Sequence, residues 1–241
     1  MSQDIVAIIP AKMTSQRLPK KNVVDLCGYP LIYYSIEIAK QVSLICNTYV
    51  SSEDEQVLEL AASLGAKQIH RPKELSKSDI SNQDVLVHSY KTIGSLKVGF
   101  PDLVILLQPT HPLRMIQDIT RAVQAMIEYP EYDSLFSVTK IDELRGQIIN
   151  KEFVPEFSLP RKRNNEPDFY KNTGSFYIFR PETSFMTPSF FGRKIFPFVL
   201  ESSLFEIDID YPEDLEIARY IMSVYHGEFS HFNLKPSSLV L

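Results

Sequence analysis

Short apolar runs alternate with amphipathic stretches over about the first 140 residues of this chain. Residues 5–9 and 102–108 have the length and the apolar character of strands that are buried on both faces. Residues 30–42 and 82–93 instead place apolar side chains at helical spacing. Because strands that alternate with helices form parallel sheets covered on both faces, this pattern predicts an α/β fold with a three-layer, doubly wound, mostly parallel sheet.

The same criteria predict the remaining elements. Ser52 and Glu55 have capping-box spacing, so a helix is expected to begin there and to run to Leu64, with Gly65 ending it. Further helices are expected at residues 116–129 and 212–225, and further strands at residues 47–51, 67–70, 133–139, 173–180 and 204–209.

Residues 140–171 break this rhythm, with little periodicity and many charges. Connections in α/β domains usually have about 2–6 residues, so a segment of this length suggests an arm, a lid or an oligomer contact. This segment contains the charged triplet Arg161-Lys162-Arg163. Arg161 and Arg163 could bind a carboxylate, although a charge triplet in a polar segment is more often simply solvated. We expect residues 1–241 to form a single domain with an arm at about 140–171.

Composition narrows the possible functions. The net charge is −5, whereas nucleic-acid-binding proteins usually carry a basic surplus, so no nucleic acid is expected as a partner. Cys27 and Cys46 form no CxxC pair, and the five histidines complete no zinc spacing. The sequence contains neither a signal-like N-terminus nor an apolar run of about 20 residues, which predicts a cytoplasmic protein without a membrane partner.

The loop after the first strand is strongly cationic. Lys12, Arg17, Lys20 and Lys21 lie within ten residues of one another, among hydroxyl and amide side chains. Ligands bind beyond the carboxyl ends of strands in open α/β sheets, and clustered cations suit a polyanion such as a nucleoside triphosphate. The loop lacks the spacing of a Walker A motif, so side chains rather than backbone amides would hold the phosphates. A solvated basic loop is the alternative.

Two other strings are candidate sites. Gln108-Pro109-Thr110 follows the most apolar strand, although the proline could serve only to end that strand. Asp208 and Asp210 are two positions apart, and on the strand predicted at 204–209 and its end they would point to the same side. Two carboxylates there can hold Mg²⁺. Alternatively, Asp210 caps the last helix, because Glu213 lies at capping-box spacing.

Four ordered blocks resemble the acylneuraminate cytidylyltransferase family, whose members make CMP-sialic acid and its CMP-activated relatives. The resemblance spans roughly residues 5–220. The blocks are Ile9-Pro10-Ala11-Lys12 with Ser15 and Leu18-Pro19-Lys20-Lys21-Asn22; Arg71-Pro72-x-Glu74-Leu75; Leu106-Leu107-Gln108-Pro109-Thr110-x-Pro112-Leu113-Arg114; and Asp208-Ile209-Asp210-x-x-Glu213-Asp214-Leu215.

This resemblance implies a Rossmann-like nucleotidyltransferase fold, a homodimer formed partly by the arm, and the transfer of CMP from CTP to a nonulosonic (sialic-type) acid. Lys21, Arg17 and Asp210 would carry catalysis. By position, the CTP phosphates and ribose would be held by Lys12, Ser15, Arg17, Lys21 and Asn22. Cytosine would be faced by Arg71 and the polar stretch near Ile80 to Asn82, and the sugar pocket would be lined by Gln108, Thr110 and Tyr177. Arg161 or Arg163 would meet the sugar or phosphates, and Asp208 and Asp210 would hold Mg²⁺.

The chain also departs from the family pattern. The family usually has arginine where Lys12 stands, and the string from Ser15 to Pro19 is similar to the loop of the Kdo cytidylyltransferases. The string from Tyr170 to Tyr177, with Gly174, resembles the pseudaminic acid branch. One alternative function is therefore that of a Kdo-type cytidylyltransferase. Two others are a glycosyltransferase of similar fold, since Asp-x-Asp also binds metals there, and a non-catalytic nucleotide-binding module.

Overall fold

A computed structural model describes residues 3–15, 17–77, 79–96, 99–141, 146–155, 168–185, 187 and 189–232. Arg161 and Arg163, predicted to contact the sugar or phosphates, lie outside these residues. The strands are β1 (Ile5–Pro10), β2 (Asp25–Leu26), β3 (Tyr29–Pro30), β4 (Asn47–Ser52), β5 (Lys67–His70), β6 (Leu103–Leu106), β7 (Ser134–Ile141), β8 (Gly146–Ile149), β9 (Glu152–Pro155), β10 (Phe169–Phe179) and β11 (Ile195–Val199). The α-helices are α1 (Leu31–Gln41), α2 (Glu55–Ser63), α3 (Asn82–Leu96), α4 (Ile116–Glu128), α5 (Pro181–Ser184) and α6 (Pro212–Val224).

Seven strands form the central sheet in the order β11-β7-β10-β6-β1-β4-β5. The pairs β1–β4, β1–β6, β4–β5 and β7–β11 are parallel. β10 runs antiparallel to both of its neighbours, β6 and β7. The predicted α/β fold with a mostly parallel sheet is confirmed, and whether the chain forms a single domain stays a prediction.

Each face of the sheet is covered by its own apolar cluster. Along β1, Ile5, Ala7 and Ile9 pack toward a cluster formed with α1, α2, α4 and α6. Val6 and Ile8 point the other way, toward α3 and the aromatic residues near the end of the sheet. Successive strand side chains face opposite sides, so this strand is apolar throughout because both of its faces are buried.

Most of the predicted elements are confirmed within two or three residues at each end. The predicted strand at 204–209 is wrong: that stretch contains a short 3-10 turn, Ser203–Phe205, followed by irregular chain. The structure contains five strands that the sequence pattern does not predict, β2, β3, β8, β9 and β11, and β11 contains Pro197. Proline cannot donate to a sheet ladder, but among the described strands β11 lies at the edge of the sheet, where one side of the strand needs no such bond.

The caps of two helices also differ from the predictions. α2 is capped by Asp54, whose side chain accepts the amide of Val57 at 3.1 Å, and not by Ser52. At α6, Asp214 accepts the amides of Asp210 and Tyr211 at 2.9 and 2.8 Å. Asp210 is therefore not the cap of α6, because it supplies an amide to the cap instead of a side-chain acceptor.

The segment predicted as an aperiodic arm at 140–171 contains regular structure. β7 continues to Ile141, β8 and β9 form an antiparallel hairpin, and β10 already begins at Phe169. The hairpin exposes apolar side chains, with Ile148 80% exposed and Phe153 53% exposed. These strands were not predicted, because the apolar residues of the hairpin do not alternate with polar ones as they do in a strand with one buried face.

Within the described residues, no helix is both long and apolar enough to cross a membrane.

Candidate active site

Four neighbouring parallel strands each deliver a polar side chain to the same edge of the sheet. Lys12 follows β1, Glu53 follows β4, Arg71 follows β5 and Gln108 follows β6, each within two residues of the strand end. These strands are parallel neighbours in the order β6-β1-β4-β5, so their carboxyl ends lie side by side. This edge is where open α/β sheets bind their ligands.

A first cavity, of about 140 Å³, opens at this edge. The described residues that line it include four cationic side chains and no acidic one, which favours an anionic ligand. It brings together most of the residues predicted for the nucleotide. The predicted residues in its lining are Lys12, Lys21, Asn22, Arg71, Asn82, Gln108 and Thr110.

Asn22 holds the cationic loop in shape at the mouth of this cavity. Its side chain is buried and donates a hydrogen bond from Nδ2 to the carbonyl of Lys12 at 2.7 Å. Asn22 therefore ties the two ends of the loop together in this structure. Ser15 lies in the same loop but is not among the described residues that line the first cavity.

Asp210 lies between two cations at the rim of the first cavity. Lys21 Nζ and Arg17 Nη2 each lie 2.6 Å from one of its carboxylate oxygens. Burial raises the pKa of the Asp210 carboxyl, but the hydrogen bonds and charges of Lys21 and Arg17 outweigh it and hold the pKa below its ordinary value. Asp210 thus contacts both of the other predicted catalytic residues directly, which the sequence could not show.

Asp208 is the second residue predicted to hold Mg²⁺. It does not lie on a strand, yet Ile209 between the two aspartates is buried and its amide donates to the carbonyl of Thr110 at 2.8 Å. The two aspartates therefore lie on either side of a residue, Ile209, that is held in place by burial and by this hydrogen bond. The Asp208 side chain is half exposed. No group of three or more metal-binding side chains occurs among the described residues. Two carboxylates suit Mg²⁺, which commonly takes one or two carboxylates together with substrate phosphates and water.

A second cavity, of about 260 Å³, adjoins the first, because Asn82 and Gln108 line both. The Asn82 amide donates to Gln108 Oε1 at 3.2 Å across this boundary. The second cavity has an aromatic wall and no charged side chain among its described lining residues. Its lining also includes Ser81, Gln83, Leu106, Tyr177, Phe179, Ser189, Phe190 and Phe191.

Tyr177 is the predicted sugar-pocket residue on β10. Asn172 donates from its amide to the Tyr177 hydroxyl at 2.8 Å, across the bulge that β10 forms between these two residues. Burial raises the pKa of Tyr177, so its hydroxyl stays protonated at neutral pH and can donate to a ligand. Phe190 and Phe191 also line this cavity but were not predicted to do so. In a sequence, two neighbouring phenylalanines that line a cavity look the same as two that pack in the core.

Arg114 is only 2% exposed and contacts Gln108, a residue that lines both cavities. Its guanidinium donates to the carbonyl of Ser175 at 2.6 Å, to the carbonyl of Gln108 at 2.6 Å and to Ser35 Oγ at 2.9 Å. Burial lowers the pKa of Arg114 to about 9, which leaves it protonated at neutral pH. This buried cation joins the loop after β6 to β10 and to α1.

His111 forms a second buried link between the same elements. Its Nε2 lies 3.0 Å from the carbonyl of Thr173, and its Nδ1 lies 3.2 Å from Thr110 Oγ1. Burial is the main cause that lowers its pKa to about 4, so the ring is neutral at pH 7. Gly174 permits this contact, because its φ is 75° and a Cβ there would lie 3.0 Å from the ring.

The chain resembles characterised proteins over most of its length. The sequence pattern of the family described as cytidylyltransferase matches residues 6–228. N-acylneuraminate cytidylyltransferase of Escherichia coli strain RS218 is 31% identical over 226 residues, which cover 90% of this chain and 52% of that protein. The chain therefore spans about half the length of that relative.

Two further similarities cover almost the whole length of both proteins compared. CMP-N,N'-diacetyllegionaminic acid synthase of Legionella pneumophila strain Philadelphia 1 is 30% identical over 233 residues, which cover 91% of this chain and 97% of that protein. The structure of CMP:2-keto-3-deoxy-manno-octonic acid synthetase complexed with CTP superposes with a TM-score of 0.70 at 20% identity, covering 92% and 99% of the two chains. At that identity the superposition establishes the shared fold.

Proposed function

Because this chain belongs to the cytidylyltransferase family, we propose that it transfers CMP from CTP to a nonulosonic, sialic-type acid and releases pyrophosphate. The observation that carries this proposal is the pair of adjoining cavities. The cationic one suits a triphosphate, and the uncharged, aromatic-walled one suits a sugar with apolar substituents. Gln108 and Asn82, which line both, lie where the two substrates would meet.

In this reaction the anomeric hydroxyl of the sugar acid attacks the α-phosphorus of CTP, and the bond to the β-phosphate oxygen breaks. Catalysis of such transfers consists mainly of positioning and charge stabilisation. Lys21 lines the first cavity, and Arg17 pairs with the same carboxylate, Asp210. When CTP binds, both cations would exchange Asp210 for phosphate oxygens. At an effective dielectric near 20, one charge pair about 4 Å apart is worth about 4 kcal/mol, so these contacts are large enough to matter.

We also propose Mg²⁺ as the cofactor, held by Asp208 and Asp210 together with the phosphates. When bound, the ion would offset phosphate charge and lower the pKa of the attacking hydroxyl. The exchange just described supports this assignment, because it frees the oxygens of Asp210 that Lys21 and Arg17 occupy in this structure.

A pyrophosphate-release assay tests the proposal. The protein is supplied with CTP, Mg²⁺ and a panel of sialic, legionaminic, pseudaminic and Kdo acids, and UTP replaces CTP in a parallel series. We expect release with CTP and at least one nine-carbon acid. Release with Kdo alone would favour the Kdo-type alternative. No release with any acid would favour a glycosyltransferase or a non-catalytic module, and hydrolysis or transfer from CMP-sugar would separate those two.

The homodimer is a further proposal, supported by the exposed apolar side chains of the β8–β9 hairpin. Isolated apolar residues are normal on protein surfaces, but a cluster of them marks an interaction surface. Light scattering at micromolar concentration should give a dimer, and the double change Ile148→Asp and Phe153→Asp should give a monomer. Ile127→Asp on α4 is the matched control, because it also charges an exposed isoleucine. A wild-type monomer with full activity would contradict the proposal. The predicted cytoplasmic location is checked separately, by cell fractionation.

A further inference from the structure

Glu53 lies in the loop after β4 and accepts hydrogen bonds from three residues in the loops after β1 and β5. Its Oε2 accepts from Arg71 Nη2 at 2.8 Å and from Ser76 Oγ at 2.7 Å, while its Oε1 accepts from the amide of Met13 at 2.9 Å. Met13 belongs to the cationic loop, and Ser76 belongs to the turn after β5. One carboxylate thus connects the loops that follow β1, β4 and β5.

The cluster around Glu53 is almost completely removed from solvent. The side chain of Glu53 is 10% exposed and that of Arg71 is 2% exposed. Burial raises the pKa of Glu53, but the hydrogen bonds from Arg71, the Met13 amide and Ser76 outweigh it, so the pKa lies below its ordinary value. Glu53 is therefore ionised at neutral pH and serves as the counter-charge of Arg71. A buried pair of this kind is weak evidence for stability, so a role in fixing geometry is the better explanation for it.

Arg71 has donors beyond the one that Glu53 accepts. Its Nε is buried and has no hydrogen-bond partner in the described part of the chain, and the residue lines the cationic cavity. A buried donor without a partner is costly, which points to a ligand atom as its acceptor. Glu53 binds only the far end of the guanidinium, at Nη2, and so sets the direction in which the remaining donors point.

The chemistry of the bases shows why a fixed donor matters. Cytosine presents a lone pair at N3, whereas uracil presents an N–H at the same position. A donor held at one place can bond the cytosine nitrogen, but it meets a second donor in uracil and both are left unpaired. A freely moving arginine could avoid that conflict by turning to a uracil oxygen.

We propose that Glu53 is a positioning residue that fixes Arg71 against the base and thereby sets the preference of this site for CTP over UTP. This inference rests on the proposed function, since it assumes that the cationic cavity binds the nucleotide. Glu53 itself contacts neither the base nor the reacting phosphorus. It acts through Arg71, and its bond to the Met13 amide links base recognition to the shape of the phosphate-binding loop.

The test is calorimetric binding of CTP and of UTP, each with Mg²⁺ and without sugar acid. Glu53→Gln should weaken CTP binding by about 10- to 100-fold, because it removes the counter-charge of Arg71 and its single carbonyl oxygen cannot accept from Arg71, Ser76 and the Met13 amide together. UTP binding should change much less, so the ratio of the two affinities should fall at least tenfold. Glu55→Gln is the matched control: it removes an equally charged but exposed side chain two residues away and should leave both affinities unchanged.

A second variant keeps the experiment decisive if Glu53→Gln does not fold. Glu53→Asp keeps the charge but is shorter by one methylene, so it cannot reach Arg71 and the Met13 amide together, and it should lose selectivity to a smaller degree. Arg71→Lys should lose selectivity too, and combining it with Glu53→Asp should add little. An unchanged ratio of CTP to UTP affinity in Glu53→Asp or in Glu53→Gln would overturn the inference alone. A wild-type protein that does not bind CTP would instead overturn the proposed function.

Discussion

The two sides of the candidate site hold their cations in opposite ways. On one side, Lys21 and Arg17 contact Asp210 through side chains, and Arg17 is 54% exposed. On the other, Arg114 is 2% exposed, and its three acceptors are two backbone carbonyls and one hydroxyl. In the first arrangement the cations pair with a carboxylate, which a phosphate can replace. In the second, the guanidinium is held by uncharged groups of the fold that a ligand does not replace.

This difference indicates that the two sides perform different tasks. A partly exposed ion pair contributes about 0.2–1 kcal/mol, so exchanging Asp210 for a phosphate costs the fold little. A buried guanidinium bonded to carbonyls costs much more to disturb, because each unpaired buried group costs about 1–3 kcal/mol. Changes on the exchangeable side should therefore affect turnover, and changes on the fixed side should affect stability. Four experiments test this division, from the largest expected effect to the smallest.

Asp210→Asn should lower turnover by about a thousandfold, equivalent to about 4 kcal/mol, if the carboxylate holds Mg²⁺. Its free energy of unfolding should fall by no more than about 1 kcal/mol, because only partly exposed ion pairs are lost. The measurement is turnover over a magnesium titration, together with urea unfolding. Wild-type kinetics at limiting Mg²⁺ would show that Asp210 does not hold the metal. A large loss of stability would show that the ion pairs of Asp210 support the fold, contrary to the proposed exchange for phosphate.

Lys21→Ala should lower kcat/KM about a hundredfold while leaving the melting curve unchanged, because one donor to the phosphates is lost. Lys20→Asn is the matched control, since it removes a cation from the adjacent position. Asparagine is used there because Lys20 has a φ of 55°, which alanine adopts poorly. The control should have nearly normal activity. If both variants lose activity equally, the net charge of the loop matters and the contact of Lys21 does not.

Arg114→Met should lower the free energy of unfolding by about 3 kcal/mol, because it removes a buried donor from the carbonyls of Gln108 and Ser175 and from the hydroxyl of Ser35. Arg121→Met on α4 removes an exposed arginine that pairs with Asp118 and Glu201, and it should cost about 1 kcal/mol or less. Urea unfolding measures both. If the two variants lost equal amounts of unfolding free energy, Arg114 would stabilise the fold no more than an exposed arginine does.

His111 should make stability depend on pH. Its pKa falls from 6.5 to about 4 in the folded protein, so between these values the unfolded chain binds a proton that the folded chain does not. Stability is therefore lost as the pH falls from about 6.5 toward 4, by up to about 3 kcal/mol in the ideal case and by about 2 kcal/mol or less after relaxation. Comparing wild type with His111→Asn isolates this contribution. Parallel stability curves for the two proteins would show that His111 does not titrate in this way.

The sequence predicted the parallel half of the fold well, because periodicity reports burial directly. β1 and α4 are examples, with apolar residues at the expected positions. It also predicted the cationic loop, whose charges are local in sequence. It could not predict that Arg114 binds carbonyls, since backbone acceptors carry no residue identity. Glu53 was likewise hidden, because it stands beside Asp54 and Glu55 in a stretch that looks only like the start of a helix.

The position of β10 has a consequence for how the chain is made. β10 separates β7 from the parallel strands, and β7 has no other described neighbour except β11, which comes later still. On the ribosome, β1, β4, β5 and β6 can assemble as soon as residue 106 has emerged. β7, with the buried Leu135, must wait unpaired until residues 169–179 follow it. Exposed strands of this kind promote aggregation during synthesis. The interval between β7 and β10 is therefore the stretch of translation in which a chaperone would matter most for this protein.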